Sequence, residues 1–451
     1  MSDLDTLFRM YDIRGIYPEQ INKDFAKELG NAFSTYMGKY DEIVVGRDMR
    51  FGGKILKNAF IKSLLNNGKN VVDIDLVPTS LVNLYVVKNK VFGCSVTASH
   101  NPPNWNGFKF FNKNGSHCFY GNGLEKVKDI MLSKKYLKFN KIGKIEKNNE
   151  FVDEYIDEIT SKIKIEKKLK VVFDLSNGTV NVTIKKALKN FDIDYKLINT
   201  KMDGTFVHSP EPNEESIKQL VKEVLNEKAD IGVFFDADGD RGAFVDDKGR
   251  YVTGDLALII YYLALKNKKV KVVETINCTL ALKEIVEKNG GKIIDERIGN
   301  VFILERLKKE KAFLGGERSC HFFFKDFYYI DDGLFSALKM IESLSKLNKK
   351  MSEIIDEFNK YYPIPPYEAY KIKCDDKRKF LITEKVKEKL RKMNFEINEI
   401  DGVKAISEDG WISIRPSNTE PLIKLTVEGK NKEKAENLFN LALKLLKEEG
   451  I

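Results

Sequence analysis

The chain has 451 residues, of which 42% are hydrophobic and 32% are charged. This length is too great for one hydrophobic core and predicts two to four domains. The net charge of +9 comes from 76 basic and 67 acidic residues, and we find no basic cluster with interleaved aromatic residues. The composition therefore disfavours a nucleic-acid-binding protein and suits small anionic substrates.

The cysteines and the apolar segments predict a cytoplasmic protein without a membrane partner. Five cysteines are present and none forms a C-x-x-C pair, which is typical of reduced thiols. The N-terminus lacks the apolar core of a signal peptide. The longest apolar run, residues 256–265, is too short to span a bilayer and predicts a buried helix.

Short apolar segments alternate with stretches of helical periodicity three times along the chain. Each repeat begins with a strand and an amphipathic helix, the strands lying at residues 43–45, 171–173 and 272–273. This alternation predicts α/β domains with parallel sheets. The remainder, after a proline-rich junction, predicts a smaller α+β domain with strands near 403–406, 411–414 and 422–427. We place the four domains at residues 1–146, 147–247, 248–366 and 367–451.

A second apolar strand in each repeat leads into an unusual polar loop. These strands precede Ser99, Asp236 and Gly315. Ligands in open α/β sheets bind at the carboxyl ends of strands. We therefore expect the three loops to converge on one cleft between the domains.

The first of these loops, residues 96–102, has the sequence VTASHNP. The position of Ser99 favours a nucleophile or a phosphate carrier, although a turn-capping serine is the commoner alternative. The G-x-S-x-G pattern of hydrolases is absent. Because neighbouring side chains in an extended segment point to opposite sides, we expect His100 to point away from Ser99.

The second loop carries three carboxylates, Asp236, Asp238 and Asp240, followed by Arg241. Their alternation with small residues aims all three to one side, and their mutual repulsion calls for a hard divalent cation, which favours Mg²⁺. An EF-hand is disfavoured because Arg241 stands where that motif needs glycine. Arg241 suits charge balancing or contact with a phosphate.

Two further loops carry polar residues suited to a sugar phosphate. In the loop 315–321, Glu317 and Ser319 have the spacing to grip adjacent sugar hydroxyls, and His321 can hold a proton, although an ordinary glycine turn is the plainer alternative. The loop 415–421 supplies donors for a phosphate cradle, and a simple hairpin turn is its alternative. Its candidate donors are Arg415, Ser417, Asn418 and Thr419.

Together these motifs resemble the α-D-phosphohexomutase family, and most closely its phosphomannomutase/phosphoglucomutase branch. The resemblance runs from Phe8 to Thr426. It includes an N-terminal FRMYDIRG signature, the TASHNP loop with Lys109 downstream, the aspartate loop and the two loops just described. It implies three similar α/β domains with mixed, largely parallel sheets and a smaller C-terminal α+β domain around a central cleft.

The resemblance also implies a reaction. Ser99 would carry a phosphoryl group, and Mg²⁺ would be held by that phosphate with Asp236, Asp238 and Asp240. The phosphoryl group would pass between the 1- and 6-positions of mannose or glucose phosphate through a bound hexose 1,6-bisphosphate that turns within the cleft. Candidates for proton transfer or charge stabilisation are Arg14, Lys109 and His321, with His100 as a positioning residue, and Tyr11 is a candidate substrate contact.

Two departures from the family pattern leave the identity of the substrate sugar undecided. Cys320 stands where the family usually has glycine, and Asn300 stands where the branch often has histidine. The alternatives are a phosphoglucosamine mutase, a catalytically silent sugar-phosphate-binding protein and a metal-dependent phosphatase. The expected assembly is a monomer or a small homo-oligomer.

Overall fold

The computed structural model describes residues 3–361, 370–375, 377–417 and 421–451. The chain divides into two compact units. The first comprises residues 1–257 and 319–348, and the second comprises residues 258–318 and 349–451.

The first unit begins with a mixed six-stranded sheet. In spatial order its strands are Ile13–Ile16, Trp105–Phe111, Phe92–Val96, Glu42–Arg47, Asn70–Leu76 and Ile145–Lys147. Helices Asp3–Leu7, Lys23–Met37, Gly53–Asn66, Thr79–Asn89 and Leu124–Ser133 belong to the same region. Apolar side chains from the helices pack on the sheet, and Phe33 stacks on Phe110 with ring centres 4.1 Å apart.

A five-stranded sheet follows in the same unit. Its strands, in spatial order, are Tyr251–Val252, Gly242–Asp246, Ile231–Phe235, Lys170–Asp174 and Asp194–Ile198. Its region includes helices Phe151–Thr160, Ile184–Leu188 and Lys218–Glu227 and the 3₁₀ turn Thr179–Val182. Strand Phe322–Phe324, the 3₁₀ turn Lys325–Phe327 and helix Gly333–Leu347 complete the unit.

The two sheets repeat one arrangement. Strand Phe92–Val96 pairs in parallel with Glu42–Arg47 and antiparallel with Trp105–Phe111. In the second sheet, Ile231–Phe235 pairs in parallel with Lys170–Asp174 and antiparallel with Gly242–Asp246. Both central strands are buried at every residue, as expected for strands covered on both faces. The predicted repeat is therefore confirmed, and each central strand ends just before its polar loop.

The second unit contains a parallel three-stranded core and an antiparallel five-stranded sheet. The parallel strands are Lys292–Glu296, Lys271–Thr275 and Leu314–Gly316, with helices Leu280–Lys288, Asn300–Glu310 and Met351–Tyr361. The antiparallel strands, in spatial order, are Tyr370–Lys373, Leu422–Gly429, Gly410–Pro416, Val403–Ser407 and Glu396–Asn398. Helices Lys379–Lys392 and Lys432–Glu448 complete this C-terminal α+β region.

The predicted apolar run forms the helix Gly254–Ala264. No helix within the described residues has the length and apolarity needed to cross a membrane.

Candidate active site

Ser99 lies in the loop after the buried strand Phe92–Val96 and is 2% exposed. Its φ of +50° places a non-glycine residue in the left-handed region, which costs conformational energy. Its backbone N donates to Thr97 Oγ1 at 2.8 Å, and Thr97 Oγ1 donates to Asp48 Oδ2 at 2.6 Å. These two hydrogen bonds hold the serine in the strained conformation.

A single buried guanidinium group binds the other side of this loop. Arg50 donates to backbone carbonyl oxygens at 2.5 to 3.2 Å, and these belong to Ser99, Asn101, Pro102 and Trp105. The side chain also forms an ion pair with Asp48 at 3.1 Å and lies 4.9 Å from the ring centre of Phe206. Arg50 thus holds the backbone of this loop from Ser99 to Trp105.

Asp48 and Arg50 were not predicted from the sequence. The available signal was the charged segment RDMR, residues 47–50, at the carboxyl end of the apolar strand Glu42–Arg47. Charged residues at a strand end are common, and only the tertiary contacts show that Arg50 binds the serine loop.

The three loop carboxylates come together as predicted. One oxygen each of Asp236, Asp238 and Asp240 lies within 4.8 Å of the others, and all three residues are at most 1% exposed. Gly239, at φ +74°, allows the turn and donates its N–H to Asp236 Oδ1 at 3.1 Å. Strands precede and follow the loop, so it is not an EF-hand.

The charges of this cluster fit a divalent cation. Burial and the charges of Asp240 and Asp238 raise the pKa of Asp236 well above its ordinary value. Among the described groups, Asp238 Oδ1 and Asp240 Oδ1 are buried without a hydrogen-bond partner. Oxygen donors of this kind are the ligands that Mg²⁺ prefers. The trio therefore has the donor chemistry and the unsatisfied oxygens that such an ion requires.

The serine loop and the carboxylate loop meet. Ser99 Oγ lies 3.5 Å from Asp236 Oδ2. Lys109 Nζ, from the strand Trp105–Phe111, lies 2.7 Å from Asp238 Oδ2 and 2.6 Å from Asp240 Oδ2. Burial alone would raise the pKa of Asp238, but the Lys109 ammonium outweighs it and holds that pKa below its ordinary value.

The expectation that His100 points away from Ser99 is wrong. His100 Nδ1 lies 3.3 Å from Ser99 Oγ. The left-handed backbone at Ser99 removes the alternation that an extended segment would impose. Burial and the positive charges of Arg241, Arg14 and Lys109 hold the pKa of His100 well below its usual value, so its imidazole is neutral at neutral pH.

Two arginines predicted from the sequence border this centre. Arg14 donates to Asn101 Oδ1 at 2.5 Å in the serine loop and pairs with Asp12 at 2.7 Å. Arg241 pairs with Asp236 at 3.0 Å through Nε, while its Nη2 is buried without a partner among the described residues. Tyr11, near Arg14 in sequence, is partly buried.

The segment 319–321 belongs to the same unit. His321 Nδ1 lies 3.1 Å from Asp331 Oδ2, and His321 joins Asp240 and Asp331 in a second group of close donor atoms. Ser319 is exposed. Cys320 is buried with φ +69°, and its Sγ lies 3.6 Å from the Tyr251 hydroxyl. The positive φ gives a physical reason why glycine is usual at this position.

In the second unit, two hydrogen bonds and one ion pair connect the sugar-loop and phosphate-loop candidates. Glu317 is 6% exposed and accepts from Gly299 N at 3.1 Å. The residue before Gly299, Ile298, donates its backbone N–H to Asp401 Oδ2 at 3.1 Å. Asp401 Oδ2 in turn lies 3.6 Å from Arg415 Nη1. Asp401 was not predicted from the sequence.

Of the remaining phosphate-loop candidates, Ser417 is buried. Its backbone N donates to Leu422 O at 2.9 Å, and its carbonyl accepts from Lys379 Nζ. Asn418 and Thr419 lie outside the described residues.

Family models match four consecutive parts of the chain. They are described as phosphoglucomutase/phosphomannomutase alpha/beta/alpha domain I at residues 5–135, domain II at 153–249, domain III at 253–361 and C-terminal domain at 370–444.

Relatives named for two different activities match almost the whole chain. A phosphoglucomutase/phosphomannomutase of Thermococcus kodakarensis is 34% identical, and the match covers 98% of each chain. A phosphoglucosamine mutase of Methanocaldococcus jannaschii is 32% identical, again over 98% of each chain. A crystal structure of a phosphoglucomutase/phosphomannomutase family protein from Burkholderia thailandensis has a TM-score of 0.86 and 27% identity, covering 99% of this chain and 98% of that one.

Proposed function

The chain belongs to the phosphoglucomutase/phosphomannomutase family of α-D-phosphohexomutases, and we propose that it moves a phosphoryl group between the 1- and 6-positions of a hexose phosphate through Ser99. The observation that carries this proposal is the meeting of Ser99 with the aspartate loop, where Ser99 Oγ and Asp236 Oδ2 are 3.5 Å apart. Phosphoryl transfer depends on positioning and charge neutralisation. Both are present around this hydroxyl.

In the proposed first half-reaction, phosphorylated Ser99 donates its phosphoryl group to a free hydroxyl of the bound sugar phosphate. The bond from phosphorus to Ser99 Oγ breaks and a bond from phosphorus to the sugar oxygen forms. The proton of the sugar hydroxyl is transferred within the site to Ser99 Oγ, so that Ser99 is left as a hydroxyl. The product is an enzyme-bound hexose 1,6-bisphosphate. The second half-reaction returns the other phosphate to Ser99 after the sugar has turned.

Charge is neutralised from several sides. Asp236, Asp238 and Asp240 would hold Mg²⁺, which when bound supplies positive charge beside the transferring phosphoryl group. Lys109 and Arg14 add fixed positive charge, and the buried Arg241 Nη2, without a partner among the described residues, is suited to a phosphate oxygen. Burial raises the strength of these interactions because little water competes.

His100 is suited to handle the proton at Ser99. Its imidazole is neutral because burial and the neighbouring cations lower its pKa, and its Nδ1 lies 3.3 Å from Ser99 Oγ. This role replaces the purely positional role expected from the sequence. Glu317 and Ser319 would grip sugar hydroxyls, with Tyr11 as a further substrate contact. Arg415, Ser417, Asn418 and Thr419 would bind the distal phosphate.

Phosphoglucosamine is an equally supported substrate. A phosphoglucosamine mutase is 32% identical to the chain over 98% of its length. In addition, Cys320 and Asn300 depart from the residues usual in the phosphomannomutase/phosphoglucomutase branch. An experiment must therefore decide whether the substrate sugar is mannose, glucose or glucosamine.

A substrate panel tests the reaction. Mannose 1-phosphate, glucose 1-phosphate and glucosamine 1-phosphate are each incubated with the protein, Mg²⁺ and a trace of the matching 1,6-bisphosphate. We expect a 6-phosphate product from at least one sugar without release of inorganic phosphate. Phosphate release would indicate a phosphatase, and binding without turnover of any sugar would indicate a silent sugar-phosphate-binding protein.

Ser99→Ala tests the carrier. We expect turnover to fall by on the order of 10³-fold or more, and intact mass spectrometry to show loss of a covalent phosphate present in the parent protein. Ser133→Ala is the matched control, because Ser133 is an exposed serine at the end of helix Leu124–Ser133. This variant should keep both the parental turnover and the covalent phosphate. Equal loss in the two variants would contradict the assignment.

A further inference from the structure

A buried threonine of the first repeat contacts the carboxylate loop of the second repeat at two points. Thr79 is the first residue of helix Thr79–Asn89 and is 3% exposed. Its Oγ1 donates to Asp238 Oδ2 at 2.8 Å, and its backbone N–H donates to the carbonyl oxygen of Asp238 at 2.9 Å. The first N–H groups of a helix have no partner within the helix, and here the loop provides one. Thr79 therefore holds both the backbone and the carboxylate of Asp238.

The hydroxyl of Thr79 also contacts a buried serine. Ser95 is 0% exposed, and its Oγ lies 2.9 Å from Thr79 Oγ1. A hydroxyl has one proton to donate, and Thr79 donates its proton to Asp238. Ser95 is therefore the donor in the second contact. Two hydrogen bonds in series connect Ser95 through Thr79 to Asp238.

Ser95 is fixed by the strand that leads to the serine loop. It lies in strand Phe92–Val96, directly opposite Lys109 of the neighbouring strand. Lys109 Nζ donates to the same oxygen as Thr79, Asp238 Oδ2, at 2.7 Å. Side chains directly opposite each other in an antiparallel pair share one face of the sheet. One cross-strand pair thus supports both hydrogen bonds of this oxygen, Lys109 directly and Ser95 through Thr79.

These contacts give the two oxygens of Asp238 different surroundings. Oδ2 accepts from two donors, whereas Oδ1 is buried without a hydrogen-bond partner among the described residues. The carboxylate cannot turn its Oδ1 aside without losing the hydrogen bonds to Thr79 and Lys109. Hydrogen-bond partners of this kind orient the carboxylates that bind metal ions in proteins.

We propose that Thr79 is a positioning residue for metal binding, which fixes the carboxylate of Asp238 so that Oδ1 is available to Mg²⁺, and that Ser95 fixes the Thr79 hydroxyl. This inference rests on the Mg²⁺ site of the proposed function. Removing the hydroxyl of Thr79 leaves Asp238 Oδ2 with Lys109 alone, so the carboxylate can rotate and bind the ammonium group with both oxygens. The apparent affinity for Mg²⁺ then falls, because only a fraction of the molecules has the carboxylate in the binding orientation.

Thr79→Val tests this role because it removes the hydroxyl and keeps the branched shape of the side chain. Isothermal titration calorimetry with MgCl₂ measures the dissociation constant of chelator-treated protein, with all variants brought to one phosphorylation state that is checked by intact mass. We expect Thr79→Val to raise this constant by on the order of 10- to 100-fold, and Thr79→Ser, which keeps a hydroxyl, to stay within about threefold of the parent. Ser95→Ala should raise it by about 2- to 10-fold.

Thr383→Val and Ser34→Ala are the matched controls. Thr383 is 3% exposed and Ser34 is 0% exposed. Each donates its hydroxyl to a carbonyl oxygen of its own helix, at 2.8 Å and 2.7 Å. These variants also lose a buried hydroxyl and should keep the parental dissociation constant. A loss of affinity in the controls as large as in Thr79→Val would overturn the proposal.

The outcomes separate this inference from the proposed function. A folded Thr79→Val variant with the parental dissociation constant would overturn the positioning role and leave the Mg²⁺ site intact. If Asp236→Asn binds Mg²⁺ as tightly as the parent does, the proposed metal site itself fails. Should Thr79→Val not fold, Ser95→Ala decides, because a parental dissociation constant in that variant would overturn the proposed series of hydrogen bonds.

Discussion

The ammonium group of Lys109 lies 2.7 Å from a carboxylate oxygen of Asp238, although 129 residues separate the two in the sequence. The contact joins the sheet of the first repeat to the loop of the second. It compensates only part of a buried group of three carboxylates, because the pKa of Asp236 stays well above its ordinary value, through burial and the charges of Asp240 and Asp238. A divalent cation would supply the missing positive charge.

Metal binding should therefore stabilise the folded protein. At free Mg²⁺ about 100 times its dissociation constant, the gain is about 2.7 kcal/mol for one site. It is measured as a rise in Tm across a MgCl₂ titration of chelator-treated protein. Asp236→Asn should lose most of this rise, because one ligand and its charge are gone.

Asp247→Asn is the matched control for the metal experiment. Asp247 falls where an EF-hand would place its last ligand, but it is outside the carboxylate trio. This variant should keep the full rise in Tm. A response lost in Asp247→Asn and retained in Asp236→Asn would contradict the site.

Arg50→Lys should loosen the serine loop. The guanidinium donates to four carbonyl oxygens, and a lysine ammonium cannot reproduce this planar arrangement. We expect the free energy of unfolding to fall by about 2–4 kcal/mol and kcat to fall with it. Hydrogen exchange should speed up at residues 97–105 in particular.

Arg47→Lys provides the comparison for Arg50. Arg47 forms a partly exposed ion pair with Asp75 at 3.0 Å, and such pairs contribute about 0–1 kcal/mol. We expect little change in stability and none in exchange at residues 97–105. Equal effects of the two variants on stability and hydrogen exchange would show that the hydrogen bonds of Arg50 do not stabilise the loop more than the ion pair of Arg47 does.

Sequence patterns predicted much of the fold because its central strands are continuous apolar runs. Phe92–Val96 and Ile231–Phe235 are buried at every residue, and such strands differ clearly from their polar loops. The edge strands Tyr370–Lys373 and Glu396–Asn398 were missed. Their residues are mostly exposed or half-buried, so no apolar alternation marks them.

The parts of the candidate site whose residues lie close together in the sequence could be predicted. Asp236, Asp238 and Asp240 alternate within one loop, and their meeting follows from that spacing. Arg50, Asp331 and Asp401 were missed because their partners are distant in sequence or face them only after folding. His100 was misplaced because a single left-handed residue, Ser99, reverses the local geometry.

At position 320, glycine should destabilise the fold less than alanine does. A left-handed backbone costs alanine about 1–2 kcal/mol, while the greater freedom of glycine in the unfolded chain offsets about 0.5–1 kcal/mol. Both Cys320→Gly and Cys320→Ala remove the buried sulfur, so their difference isolates the backbone. We expect the glycine variant to be more stable by about 0.5–1 kcal/mol in urea unfolding.

The same pair of variants at Cys94 gives the reversed order. Cys94 is equally buried but lies within the strand Phe92–Val96, where glycine costs about 0.5–1 kcal/mol relative to alanine. Cys94→Ala should therefore be more stable than Cys94→Gly. The same order at both positions would remove the argument for strain at Cys320.

His208 should make stability depend on pH. Its Nε2 lies 3.0 Å from Asp174 Oδ2 and 3.3 Å from Asn199 Nδ2, and its Nδ1 lies 2.9 Å from the carbonyl of Ser209. Burial lowers the pKa of His208, but the hydrogen bond and charge of Asp174 outweigh it, and the pKa lies above the ordinary 6.5. A histidine whose pKa is raised by folding stabilises the folded protein fully below the unfolded pKa, and this contribution disappears as pH rises through the folded pKa.

Urea unfolding of the parent and His208→Gln proteins should therefore differ more at about pH 6 than at about pH 9. Asp174→Asn should remove the same pH-dependent part, and a His208→Gln difference that grows toward alkaline pH would show that the protonated ring is not what Asp174 stabilises.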